Sequence, residues 1–132
     1  MGTRADFYIG TGAEAEWLGS IAWEGHRIDE VPKTERKGGD SADTLVCRRI
    51  KTARSEHEFR LAVFLLLSLC DDATVPWMGW PWAWADSRTT DYAYSYFKRR
   101  CHTFKWGKGA VWPDMTARRN LAHGRRSGFI VI

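Results

Sequence analysis

Apolar and polar residues alternate in two short runs near the start of the chain. Asp6, Phe7, Tyr8 and Ile9 read as a first strand, ended by Gly10, Thr11 and Gly12. In the second run Trp17, Gly19, Ile21 and Trp23 fall on one side and Leu18, Ser20 and Ala22 on the other. This predicts a second strand with a strongly aromatic face, joined to the first by a hairpin-like connection. Residues 24–40 hold few apolar groups and a glycine pair, and predict a long mobile loop.

The period then changes. After Asp40 and Ser41, which suit an N-cap, Ala42, Leu45, Val46, Ile50 and Ala53 follow helical spacing, although residues 44–47 also read as a strand. Ser55 and Glu58 have the spacing of a capping box, in which the serine caps an amide three residues on and the glutamate reaches back. From Leu61 onward this second helix is apolar all round, which predicts burial against a sheet. It ends at Asp71 and Asp72, acids that suit a helix C-terminus poorly.

Alternation returns with Tyr92, Tyr94 and Tyr96 on one side and Ala93, Ser95 and Phe97 on the other. Lys98, Arg99 and Arg100 would make the turn into a return strand carrying His102, Phe104 and Trp106. Residues 128–132 read as a buried strand. With strands towards both ends and helices between them, the expected fold is a single α+β domain over residues 1–132. Its sheet is expected to be mainly antiparallel and packed against one or two helices.

Composition sharpens this picture in one respect. Eight tryptophans contribute to an aromatic share of 14%, and each ring can bury about 150–250 Å². Trp77, Trp80, Trp82 and Trp84 crowd into eight positions, interrupted by Pro81. Trp80, Trp82 and Trp84 alternate, so an extended segment would turn all three to one side, which the core can cover. One or two rings remain available to a partner, and Trp80 and Trp82 are the candidates.

Cys47, Cys70 and Cys101 are odd in number and widely spaced, which argues against a disulfide framework and for a reducing cytosol. The first residues carry neither a secretory pattern nor a myristoylation signal. The most apolar run, residues 61–70, is far short of the ~20 residues that span a bilayer. A cytoplasmic protein without membrane contact is expected.

Net charge is +4, unevenly distributed. From Lys98 onward nine basic residues face one acid, about +8, whereas eleven basic and fifteen acidic residues precede it, about −4. A polyanionic partner or an acidic protein surface is the reading with functional content. Lys98, Arg99 and Arg100, with the pairs Arg118–Arg119 and Arg125–Arg126, are the candidate contacts, because the guanidinium fork meets phosphate or carboxylate bidentately.

Catalytic and cofactor patterns are weak. Gly10, Gly12 and Ala15 fit a loose dinucleotide-binding turn, but a strand-like run follows where a long helix is required. His57 and Glu58 begin like a zinc helix, yet Leu61 occupies the second ligand position. His26, His57, His102 and His123 lack ligand spacing, and Cys101 beside His102 would point to the opposite strand face. Asp86 and Asp91 read as capping or turn residues. No catalytic, metal or cofactor residue is therefore expected.

Four stretches carry a resemblance: MGTRADFYIG with EWLGSIAW, DDAT, WPWAWADSRTTDYAY, and WPDM with RSGFIVI. Together they resemble a family of small, largely uncharacterised proteins encoded in phages, prophages and other mobile elements. Residues 98–110 match nothing in that pattern. The resemblance supplies no catalytic motif and implies a context. Small accessory proteins of such elements often bind host machinery, and anti-CRISPR and other anti-defence inhibitors are prominent among them. The implied function is a non-catalytic inhibitor of a host protein or nucleoprotein complex, touching an acidic protein face or bound guide RNA through Arg and Trp. A direct nucleic-acid binder and a small enzyme of unknown chemistry are the alternatives.

Overall fold

The computed structural model describes residues 2–34, 39–106 and 111–115. Its centre is a four-stranded sheet built from β1 (Ala5–Ile9), β2 (Glu16–Ile21), β3 (Tyr92–Phe97) and β4 (Arg100–Lys105), in the order β2-β1-β3-β4. The β1–β2 and β3–β4 pairs are antiparallel, and the two hairpins join through a parallel pairing of β1 with β3. Between the hairpins lie α1 (Arg27–Glu30), α2 (Ala42–Lys51) and α3 (Glu56–Leu69), so the fold is α+β with a mostly antiparallel sheet.

The two faces of the sheet are covered by different means. Ala5, Phe7, Tyr94 and Tyr96 turn towards α2 and α3 and pack on Val46, Ile50, Phe59, Val63 and Leu66. Asp6, Tyr8 and Ala93 turn the other way, where no described α-helix lies. There Trp17, Trp80, Trp112 and Met115 form a second buried cluster, with Trp82 and Trp84 packed against it. The tryptophan-rich segment is therefore an irregular second layer, and that answers where most of its rings go.

The caps follow the sequence closely. Ser41 Oγ accepts from Thr44 N at 3.3 Å and Ser55 Oγ from Glu58 N at 3.1 Å. Glu58 reaches one residue further back than a capping box requires, accepting from Arg54 N at 2.8 Å. The acids after α3 find their use elsewhere: Asp72 Oδ2 accepts from Ala22 N and Trp23 N, both at 2.7 Å, closing the end of β2.

Three expectations change. Residues 24–40 do not form one long loose loop, because α1 lies within them and Ile28 and Val31 are buried. Lys51 Nζ donates to the carbonyls of Asp29 and Val31. Arg48 donates to Pro32 O and pairs with Asp40 at 2.8 Å, in a largely buried ion pair. Second, β2 does not alternate strictly. Phe7 pairs with Gly19 but Tyr8 with Trp17, so Leu18 is an extra residue, a β-bulge. The bulge sends Trp17 to the tryptophan layer while Leu18 and Ile21 pack under the helices. Third, α3 is buried on one side only. Leu61, Phe64, Leu65 and Leu69 stay exposed, since no described element lies outside that helix.

Candidate binding surface on the β3–β4 hairpin

The hairpin is made by a two-residue turn, Lys98 and Arg99, between paired Phe97 and Arg100. Both turn residues have positive φ, 50° and 67°. Two-residue hairpins demand this because the I′ turn matches the strand twist, and Asn-Gly or Asp-Gly is the usual solution. Here two long cations hold a left-handed conformation that costs an L-residue about 1–2 kcal/mol. Among the described residues no hydrogen bond or ion pair of either side chain explains the choice.

Many cations elsewhere are paired, while Lys33, Arg49 and Arg54, like the tip, have no ion pair among the described residues. Arg4 pairs with Asp91, Arg27 with Glu24 and Asp43, and Arg60 with Glu16 and Glu56. Arg88 pairs with Asp86, and Lys105 with Asp29. Lys98, Arg99 and Arg100 are exposed, and among the described residues no carboxylate lies within ion-pair distance of them. Three adjacent positive charges thus project together from a regular hairpin.

Behind the tip, one face of the hairpin is aromatic. Phe97 stacks on His102 with centroids 3.8 Å apart and planes 12° from parallel, and Phe104 lies 6.2 Å from Phe97 at 8°. His102 is fixed by Arg100 at both nitrogens: Nδ1 is 3.1 Å from Arg100 O and Nε2 3.3 Å from Arg100 Nε. Nε2 must accept from the guanidinium, so Nδ1 carries the proton and donates to the carbonyl. Burial, then the Arg100 and Lys98 charges, hold the imidazole below its ordinary pKa, and the ring is uncharged at neutral pH.

The other sequence candidates separate. Trp80 is 3% exposed, meets Trp17 edge-on at 5.1 Å, and donates its indole N–H to Trp84 O. Trp82 is half-buried, stacks on Trp84 at 5.4 Å beneath the Arg4 guanidinium, and donates its N–H to Asp6. Both belong to the layer that covers the sheet, and Trp80 offers no surface to a partner. The alternation puts these rings on the interior side, and burial removes Trp80 from the partner-facing candidates. Arg118, Arg119, Arg125 and Arg126, and the strand expected over residues 128–132, lie outside the described residues. The exposed indoles are Trp23, Trp77 and Trp106.

Phe97 and His102 were legible as a pair only once the turn length was known, since a two-residue turn sets their register. Asp6, by contrast, gave no signal beyond being an acid in a strand. It is fully buried and accepts from Ser20 Oγ at 2.6 Å, Trp82 Nε1 at 2.6 Å and Ser87 Oγ at 2.7 Å. Asp86 caps the turn at Ser87–Thr89, and Asp91 accepts from Arg4 N at 2.8 Å. All three cysteines are free. Burial pushes the Cys101 thiol up to about 12 and the Cys70 thiol up to about 11, which keeps both protonated and poorly nucleophilic at neutral pH. Among the described residues no helix is long and apolar enough to cross a membrane, and no three His, Cys, Asp or Glu side chains gather as a metal site.

Comparison with protein-family models, with characterised proteins and with solved structures finds no match to this chain.

Proposed function

We propose that this chain is a non-catalytic accessory protein that binds and blocks a host nucleoprotein machine in the cytoplasm, docking through the tip of the β3–β4 hairpin. The observation that carries the reading is the turn itself. Lys98 and Arg99 occupy two positive-φ positions that favour Asn and Gly, and neither they nor Arg100 has a described carboxylate partner. A local rule broken without a structural return is where function is expected. Uncompensated arginines on a rigid tip suit a polyanion or an acidic protein face. The mobile-element resemblance supplies the host context, with anti-CRISPR-like inhibition as its most specific form.

The test compares tagged wild type with the K98N/R99G variant in pull-downs from host lysate, with and without nuclease. A nucleic-acid-containing assembly that is retained after nuclease by wild type and lost by the variant is the expected outcome. Retention of the same proteins by both would remove the hairpin from the function.

A direct nucleic-acid contact is the second reading, favoured by the three adjacent exposed cations at the tip. It predicts affinity that falls steeply with salt, with a slope set by the phosphates neutralised.

A further inference from the structure

We infer that a second copy of this chain docks on the outer side of α3 and the groove beside it, the two α3 helices pairing antiparallel about a two-fold axis. This surface uses no residue of the hairpin tip.

Apolar area without cover is the first ground. Leu61, Leu65 and Leu69 are 55%, 42% and 47% exposed, and Phe64 is 37% exposed. Spacings of three and four put these residues on one side of the helix, while Phe59, Val63, Leu66 and Leu67 fill the buried side. Large apolar side chains that adjoin in this way mark an interaction surface, where scattered ones do not. Ser68 falls within the stripe but adds no unpaired polar group, because its hydroxyl donates to Leu65 O at 2.7 Å. Its small size lets another helix come close. Beside the stripe, α2 and α3 leave an open groove of about 360 Å³, lined by Ala53 and Ala62 together with Leu61 and Leu65. Ridge and groove thus lie side by side, as interlocking helix pairs require.

Charge placement selects the occupant. Asp71, just past α3, is exposed and has no ion pair among the described residues, and it stands where the helix dipole disfavours an acid. At the other end Arg49 lines the groove and Arg54 precedes the helix, both exposed and equally without an ion pair. Glu58 shares that end, but its carboxylate already accepts from Arg54 N. The surface is therefore apolar along its length, positive at one end and negative at the other. An antiparallel second copy matches this polarity at both ends, and a two-fold axis repeats each contact. A parallel copy sets like charges together, and a partner of single sign satisfies one end only. Fourteen residues make α3 about 21 Å long. An interface of that length lies at the low end of the about 1,200–2,000 Å² that stable complexes bury, so the dimer is weak, in the micromolar range.

Sedimentation velocity of the full chain across roughly 1–500 μM, the range that suits an interface of this size, tests the pairing. The proteins are wild type, Leu61→Glu, Asp71→Arg, R49E/R54E and R49E/R54E/D71R, each checked by circular dichroism and melting. Wild type should pass from monomer to dimer with rising concentration. Leu61→Glu should weaken the dimer at least about tenfold, because it puts a charge into the centre of the apolar contact. Asp71→Arg and R49E/R54E should each weaken it by about tenfold, and their combination should restore it, since the charges are then exchanged end for end. Should Leu61→Glu misfold, the charge exchange carries the test, because all three of its positions are on the surface.

A monomer at every concentration overturns the inference. If Leu61→Glu then lowers the melting temperature, the chain itself covers this face; if it instead abolishes capture of a host complex, a host protein does. A dimer indifferent to Leu61→Glu places the contact elsewhere and overturns it too. A dimer that Leu61→Glu weakens but the combined charge exchange fails to restore overturns the antiparallel pairing. None of these results bears on the hairpin tip, which K98N/R99G tests separately.

Discussion

Trp82 donates its indole N–H to the carboxylate of Asp6 at 2.6 Å, joining the tryptophan-rich segment to the first strand. The same oxygen accepts from Ser20, and Ser20 in turn accepts from Trp17 Nε1 at 3.1 Å. On the other oxygen Ser87 donates, and its hydroxyl meets Tyr8 OH at 2.8 Å. One acid thus gathers β1, β2 and residues 82–87 on a face that no described α-helix covers. Replacing Asp6 by Ala strands buried donors at about 1–3 kcal/mol each, so a loss of roughly 3 kcal/mol or more is expected. Urea unfolding measures it, and a loss below about 1 kcal/mol would mean the donors find other partners.

Asp6 also sets a pH dependence. Burial raises its pKa, outweighing the hydrogen bonds from Ser20, Trp82, Thr90 and Ser87 that pull it down. The folded chain therefore keeps this proton to a higher pH than the unfolded chain does. The stability it contributes is complete below the unfolded carboxyl value of about 3.9 and is lost as pH rises through the folded value. The stability of wild type minus that of Asp6→Asn should fall as pH increases over that range. A difference that rises with pH would reverse the sign assigned here.

Gly19 sits at the bulge with φ of +147°. A Cβ there would lie 2.6 Å from Leu67 Cδ1 and 2.8 Å from Thr74 O. The backbone cannot withdraw, because Ser20 and Thr74 exchange two hydrogen bonds at 2.9 and 2.8 Å. Gly19→Ala should cost about 2 kcal/mol, read as a lower urea midpoint with an unchanged slope.

The hairpin turn separates stability from binding. Asn and Gly relieve the positive-φ strain at positions 98 and 99, so K98N/R99G should be about 1 kcal/mol more stable than wild type by thermal unfolding. The same variant should lose its partner. A stabilised variant that still binds would leave Lys98 and Arg99 as ordinary surface residues.

Much of this fold is written in local pattern. Tyr92 to Phe97 alternate as a strand does, Ser41 and Ser55 cap the helices that follow them, and the two halves of each hairpin are adjacent in sequence. Relationships that depend on distant partners were not legible. The extra residue Leu18 turns Trp17 away from Ile21, and the one local hint of it is Gly19, a glycine inside a strand pattern. Asp6 looks like any strand-end acid until Trp82 and Ser87 arrive from the far side of the sequence. The outer side of α3 is as apolar as its inner side, so periodicity could not tell that one side lacks a neighbour. The basic tip was visible as charge, but its geometry and the rings behind it required the register.

The parallel ladder between Ala5–Ile9 and Tyr92–Phe97 has a temporal consequence. At ribosomal speeds of about 5–20 residues per second, the central strand waits roughly 4–17 s for the parallel neighbour. Helices α2 and α3 emerge during that delay and can shelter the apolar side of the waiting β1–β2 hairpin. The side bearing Asp6 and Tyr8 gains its cover only after the tryptophans leave the exit tunnel. Nascent chains halted before β3 should therefore be the species most in need of a chaperone.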